Sequence, residues 1–187
     1  MKQMNEGLIF FLAASLLLAC SDSNGRAAVP TTGRGMAGLT VAELADCEED
    51  DAQIYPFQGP AFSAEGELLE ELPKGHIVGT TAGWAIQDDK IKEKLIARNQ
   101  LMIGEVMGTE GLLGVSFLQS DKCGASRTLS AWRDEASLYT FVLGKNHAEA
   151  MAMVNDVAHG WETTHWTEDS VEPPSFAQAR KKLAAER

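Results

Sequence analysis

His147 and His165 are the side chains in this sequence best suited to move a proton near neutrality, because imidazole alone among unperturbed groups changes charge between pH 5 and 8. His147 opens a helical segment. The positive end of a helix dipole lowers the pKa of an imidazole there and keeps it neutral, the form that accepts a proton. The competing reading is a helix-start residue bonded to its local backbone. His165 alternates with Trp161 and Thr163 on one face of a β-rich stretch, since side chains of a strand point to opposite faces in turn. Trp132 shares a strand face with Thr128 and Ser130, a mixed polarity that suits a ligand pocket as well as a core tryptophan.

Other chemistries lose their signatures. His159 and His165 flank a turn without a helical His-Glu-x-x-His or a Cys-x-x-Cys companion, so no metal site is expected. No Gly-rich loop ends in Lys-Ser or Lys-Thr and no Gly-x-Ser-x-Gly elbow occurs, which sets aside nucleotide hydrolysis and serine-hydrolase chemistry. With 27 acidic against 16 basic residues and a net charge of −11, the chain has no basic face for nucleic acid. Its 187 residues, 44% hydrophobic and 23% charged, suffice for one core of ordinary domain size.

The N-terminus reads as an address. Lys2 precedes an apolar run over residues 8–19 that ends in Leu17-Leu18-Ala19-Cys20; this is too short to span a bilayer and fits a cleaved signal. The tetrad resembles the lipobox of bacterial lipoproteins, which implies lipidation of Cys20 after removal of residues 1–19. Ser21 rather than Asp follows, and by the Gram-negative sorting rule this resemblance implies the outer membrane, facing the periplasm, with the lipid anchor as membrane partner. Residues 20–38, rich in Ser, Gly, Ala, Thr and Pro, read as a flexible tether. In that oxidising compartment Cys47 and Cys123 either pair or stay separate thiols, and sequence does not decide which.

The positioning elements follow from periodicity. Residues 39–74 are acidic and irregular, with Glu48-Glu49-Asp50-Asp51 and the turn-prone Tyr55-Pro56-Phe57-Gln58-Gly59-Pro60. They read either as a cation- or partner-binding surface or as a solvated pre-domain packing through Leu44, Ile54, Tyr55 and Phe57. The domain proper is expected over 75–187. A first strand runs over 77–86, and Asp88 caps a helix carrying Ile91, Leu95, Met102 and Val106 at helical spacing. Strands follow over 112–119 and 126–132, joined by a short hairpin. A helix from Asp134-Glu135 through Val142 is interrupted at Gly144-Lys145-Asn146 and resumes over 147–158. A last strand spans 161–167, and Ser175 with Gln178 starts a final helix as a capping box. The order β-α-β-β-α-β is the α+β, ferredoxin-like split arrangement of an antiparallel sheet. Strands apolar on both faces need a second cover, which a second copy of the same sheet supplies, so a homodimeric α+β barrel is expected.

Residues 75–185 resemble the antibiotic biosynthesis monooxygenase superfamily of dimeric α+β barrels. The resemblance rests on Leu129-Ser130-Ala131-Trp132-Arg133-Asp134-Glu135-Ala136-Ser137-Leu138, then Phe141, then His147-Ala148-Glu149-Ala150-Met151, and on the tail Pro174-Ser175-Phe176-Ala177-Gln178-Ala179. It implies either a cofactor-free oxygenase of a small aromatic or quinone-like substrate, or a non-catalytic protein that binds a small ligand or envelope partner through the same barrel. For the oxygenase it implies His147 or His165 as base and a pocket shaped by Trp84, Trp132 and Thr81. Haem is the cofactor that degrading members handle with a first-strand Asn, a third-strand Trp and a second-helix His. Here Trp132 matches, the first strand offers Thr80 and Thr81, and the family's His falls near Met151, so no cofactor is expected.

Overall fold

The computed structural model describes residues 39–86 and 88–187; the signal, the tether and the lipidation expected at Cys20 lie outside the described residues. Five helices and five strands follow in the order α1 (Val41–Ala45), β1 (Gln53–Gln58), β2 (His76–Ala85), α2 (Asp89–Gly108), β3 (Leu112–Ser120), β4 (Ala125–Trp132), α3 (Glu135–Val142), α4 (Lys145–Val157), β5 (Ala158–Glu168) and α5 (Phe176–Glu186). The sheet runs β1-β3-β4-β2-β5, with every pairing antiparallel. Without β1 this is the ferredoxin-like order expected from β-α-β-β-α-β.

Local chemistry explains most boundaries. The Asp88 carboxylate accepts from the N–H groups of Lys90 and Ile91 and starts α2. Asp134 does the same for α3 through Ser137, and Ser175 for α5 through Gln178; each cap satisfies a donor that the first turn leaves unpaired. The last strand is longer than expected, running from Ala158 to Glu168 and taking Ala158 from the end of the expected helix.

The sheet has two differently covered faces. On one lie α2, α3 and α4, packed through Met102, Val106, Leu138, Phe141 and Val154 onto Val115, Phe117 and Trp132. The other face, which a second copy was expected to close, is covered by this chain. Leu44 of α1 and Leu183 of α5 pack against Ala82, Trp84 and Ala125. Phe176 and Ala179 of α5 pack against Val78, Leu118 and Leu129, and Ala61, Phe62 and Leu72 against Ala131. Burying a large apolar side chain is worth about 2 kcal/mol, so each of these contacts removes part of the reason for a face-to-face dimer.

Residues 39–74 are therefore not an irregular pre-domain. They contribute α1 and the edge strand β1. Pro56 is tolerated there because an edge strand needs only one side of its backbone for pairing, and the register with β3 shifts between Tyr55 and Gln58. Gly59, at φ 149°, has its Cα where an added Cβ would lie 2.6 Å from Gly114 Cα, so the turn after β1 can press against β3 only with glycine in place. Phe57 and Phe62 stack with centroids 4.7 Å apart.

Three of the four carboxylates in the acidic run 48–51 are spent on the chain itself. Glu49 accepts from Arg127 Nε at 3.0 Å and Nη2 at 2.8 Å, and also from Arg180 of α5. Asp50 pairs with Lys122. Asp51 accepts from Ser120 Oγ and the Lys122 N–H. Of the residues expected to pack this segment, Leu44 is buried while Ile54 is exposed. Cys47 and Cys123 form a disulfide, with Cα atoms 5.9 Å apart, which ties the segment after α1 to the β3–β4 turn.

Candidate functional site

The candidate site lies between the sheet and its three helices. Period-2 alternation puts Gly79 and Thr81 of β2, Val115 of β3, and Thr128 and Ser130 of β4 toward the helices. The pairings Gly79 with Ser130 and Thr81 with Thr128 set them side by side. Val106 of α2, Leu138 and Phe141 of α3 and His147 of α4 close the space over them, leaving a cavity of about 30 Å³. That is room for one or two waters or the end of a small molecule.

His147 is the titratable group of this cavity. It is 1% exposed, and neither ring nitrogen makes a hydrogen bond. The Phe141 ring meets it edge-on at 5.0 Å. Burial pushes its pKa below the usual imidazole value, opposed by the nearby Val142 carbonyl and the Glu105 carboxylate. The helix dipole predicts a neutral imidazole at this position; the principal cause is instead loss of water around the ring, which penalises the charged form.

The other polar atoms are hydroxyls. Thr81 Oγ1 and Thr128 Oγ1 are 2.5 Å apart, and Ser130 Oγ donates to the Gly79 carbonyl at 3.2 Å. Trp132 lies just beneath: its Nε1 donates to Ser130 Oγ at 2.9 Å, and its ring stacks on Phe141 with centroids 5.6 Å apart. It supports the wall from within the core. The site therefore combines a neutral base, three hydroxyls and an apolar lid, the ingredients of proton removal in a low-dielectric space.

Two expected members are elsewhere. Trp84 sits on the opposite face, packed with Leu44, Cys123 and Leu183; the Arg127 guanidinium lies 5.7 Å over its ring. The reason is parity, because residues three apart in a regular strand cannot share a face, so Thr81 and Trp84 exclude one another. His165 has the expected helix-side parity and pairs with Gly79 across the β2–β5 ladder. Its ring nevertheless turns outward, 3.4 Å from Glu135 Oε1 and edge-on to Tyr139 at 6.0 Å. With 36% of its side chain exposed, it lies outside the cavity lining.

One contributor left no local signal. Glu105 lies beside the buried stripe Met102 and Val106 on α2, and only the packing of α2 against α4 brings it to the backbone of His147. Among the described residues no three His, Cys, Asp or Glu side chains gather as metal ligands.

No family model matches the chain, and no curated protein matches it. Solved structures share its chain trace. A protein from Shewanella oneidensis superposes with a TM-score of 0.44 at 12% identity, over 51% of this chain and 92% of that one. A candidate monooxygenase from Fusobacterium nucleatum gives 0.48 at 12% identity over 67% of this chain and 52% of its own, so the chain spans about half that protein's length. SnoaB, a cofactor-independent oxygenase from Streptomyces nogalater, gives 0.43 at 9% identity, over 54% and 99%. The likeness is one of fold alone.

Proposed function

We propose that the domain is a cofactor-free oxygenase-like enzyme in which His147 removes a proton from a small, acidic aromatic or quinol-like substrate. The observation that carries this reading is the buried, neutral His147 ring with both nitrogens unbonded, facing a cavity whose other polar atoms are the hydroxyls of Thr81, Thr128 and Ser130. Proton transfer to one ring nitrogen leaves a substrate anion that gives an electron to dioxygen, and the two radicals combine. For a substrate with an activated methylene the balance is one methylene and one dioxygen giving one carbonyl and one water. The cavity accepts only the reacting end of such a molecule, so the α3–α4 corner, with Leu138 and Phe141 on its inner side, moves outward to admit the ring.

A second reading is favoured by the volume of about 30 Å³, well below the several hundred usual for a ligand pocket. In it the same domain binds a small ligand or an envelope partner without turnover. Dioxygen uptake with a hydroxyanthrone and with a naphthohydroquinone, each corrected for spontaneous oxidation, separates the two. Uptake that falls about 100-fold in His147→Gln is expected of the oxygenase. Equal uptake by wild type and variant overturns it.

The setting belongs to the same proposal: a lipid anchor at Cys20 that holds the domain at the periplasmic side of the outer membrane, supported by the apolar run and Leu17-Leu18-Ala19-Cys20. Cys20→Ser is expected to move the protein from the detergent to the aqueous phase in phase partitioning.

A further inference from the structure

The N-terminus of α4, which carries His147, has no cap of its own. Its N-cap residue is Gly144, which offers no side chain, and the first turn contains no acidic residue. An uncapped helix start leaves several N–H groups without partners. Here a residue of another helix supplies the acceptors: Glu105 Oε1 takes the Asn146 N–H at 3.3 Å, and Oε2 takes the His147 N–H at 3.0 Å. The negative carboxylate also sits where the helix dipole favours it.

Both sides of this contact are prepared. An added Cβ at Gly144 would lie 2.8 Å from Glu105 Cδ and 2.9 Å from the Phe141 carbonyl oxygen, so glycine is what lets the carboxylate reach the helix end. On α2, Thr109 Oγ1 donates to the backbone carbonyl of Glu105 at 2.7 Å and holds the last turn that presents the side chain. We infer that Glu105 is the positioning residue for His147, a cap supplied by α2 that sets the start of α4 and with it the place of the imidazole over Thr81 and Thr128. The inference rests on the proposed role of His147 only for its effect on turnover; the positioning itself stands on the two hydrogen bonds and the glycine.

The carboxylate has a second consequence at the ring. The other cavity-lining side chains are hydroxyl or apolar: Thr81, Thr128 and Ser130 from the sheet, and Leu138 and Phe141 from α3. Glu105 is thus the charged neighbour that favours the imidazolium formed when His147 accepts a proton. It acts on the base through the helix backbone and through space.

The test compares Glu105→Gln, Glu105→Ala and, as a control on an exposed carboxylate of α4 away from the cavity, Asp156→Asn. Amide exchange at Asn146 and His147 and the NMR titration of the His147 ring are read without substrate, and dioxygen uptake separately. Glu105→Ala is expected to speed exchange at those two amides roughly tenfold, the factor for loss of a helix cap. Glu105→Gln keeps an acceptor and the fold but lowers the His147 titration midpoint, because the stabilising charge is gone. Asp156→Asn should change neither. Exchange and titration unchanged in both Glu105 variants overturn the inference, as does an equal change in Asp156→Asn. If exchange and titration shift while uptake does not, the positioning role stands and the assignment of His147 as base falls.

Discussion

The two faces of the sheet are closed in opposite ways. Toward α2, α3 and α4 the closure is incomplete: it leaves a cavity and a buried imidazole without hydrogen bonds. The opposite face is locked by the Cys47–Cys123 disulfide, by Glu49 held between Arg127 and Arg180, and by Glu162 bonded to Arg187 at the end of α5. Unpartnered buried polar atoms occur on both faces, the His147 ring on the helix side and Trp84 Nε1 on the other. What sets the helix side apart is the cavity that its titratable group lines, so the helix side is the proposed working side and the other its support.

Opening the locked face should have the largest effect. The disulfide closes a loop of 76 residues in sequence, and a crosslink of that span is worth about 4 kcal/mol. Replacing Cys47 and Cys123 together by Ser is expected to lower the denaturation free energy by that order, read from urea unfolding. The oxidised chain is expected to sediment as a single copy, since its outer face is already covered. A stable dimer of the oxidised form would show that assembly uses a surface other than this face.

Next in size is the buried ion pair. The side chains of Glu49 and Arg127 are 1% and 3% exposed, and removing one partner of such a pair strands the other charge away from water. Glu49→Ala should cost about 3 kcal/mol, and a double-mutant cycle with Arg127→Met should recover part of it. Absence of coupling in that cycle would break the claim that this face is held by its charges.

The working face should respond in the reverse sense. His147→Leu removes a buried polar ring that has no hydrogen bond to lose, so stability is expected to stay within about 1 kcal/mol of wild type, while dioxygen uptake is lost. A loss of several kcal/mol would make His147 a structural residue like Glu49.

The smallest effect is on pH dependence. Burial lowers the His147 pKa in the folded state from 6.5, so below that value the unfolded chain binds more protons than the folded one. Stability from this group is therefore complete above pH 6.5 and is lost as pH falls toward the folded value. Comparing wild type with His147→Leu by unfolding at a series of pH values should show a gap that changes only in that window. A gap independent of pH would mean that the ring is not desolvated.

Much of this molecule is legible along the chain. The caps Asp88, Asp134 and Ser175 announce their helices because a carboxylate or hydroxyl before an amphipathic run bonds the free N–H groups of the next turn. The strands carrying Thr81, Thr128 and Ser130 announce their shared face by alternation, and His147 was placed at the start of its helix. Strand β1 was hidden by Pro56 and by acidic neighbours, which local propensity assigns to turns. Its place at the sheet edge depends on β3, far along the chain. Trp84 lies on the opposite face from Thr81 by strand parity, a separation that alternation along β2 alone makes legible.

What the sequence by itself determined, then, is the order of the elements, their caps, and which side chains of each strand lie together, all consequences of short-range geometry. Tertiary structure alone decided that the acidic segment straps the outer face, that the two cysteines meet, that His165 turns away from the cavity, and that Glu105 caps the helix of His147. Each of these depends on bringing residues distant along the chain to within a few ångströms, and that proximity is set by how the layers pack rather than by any local pattern.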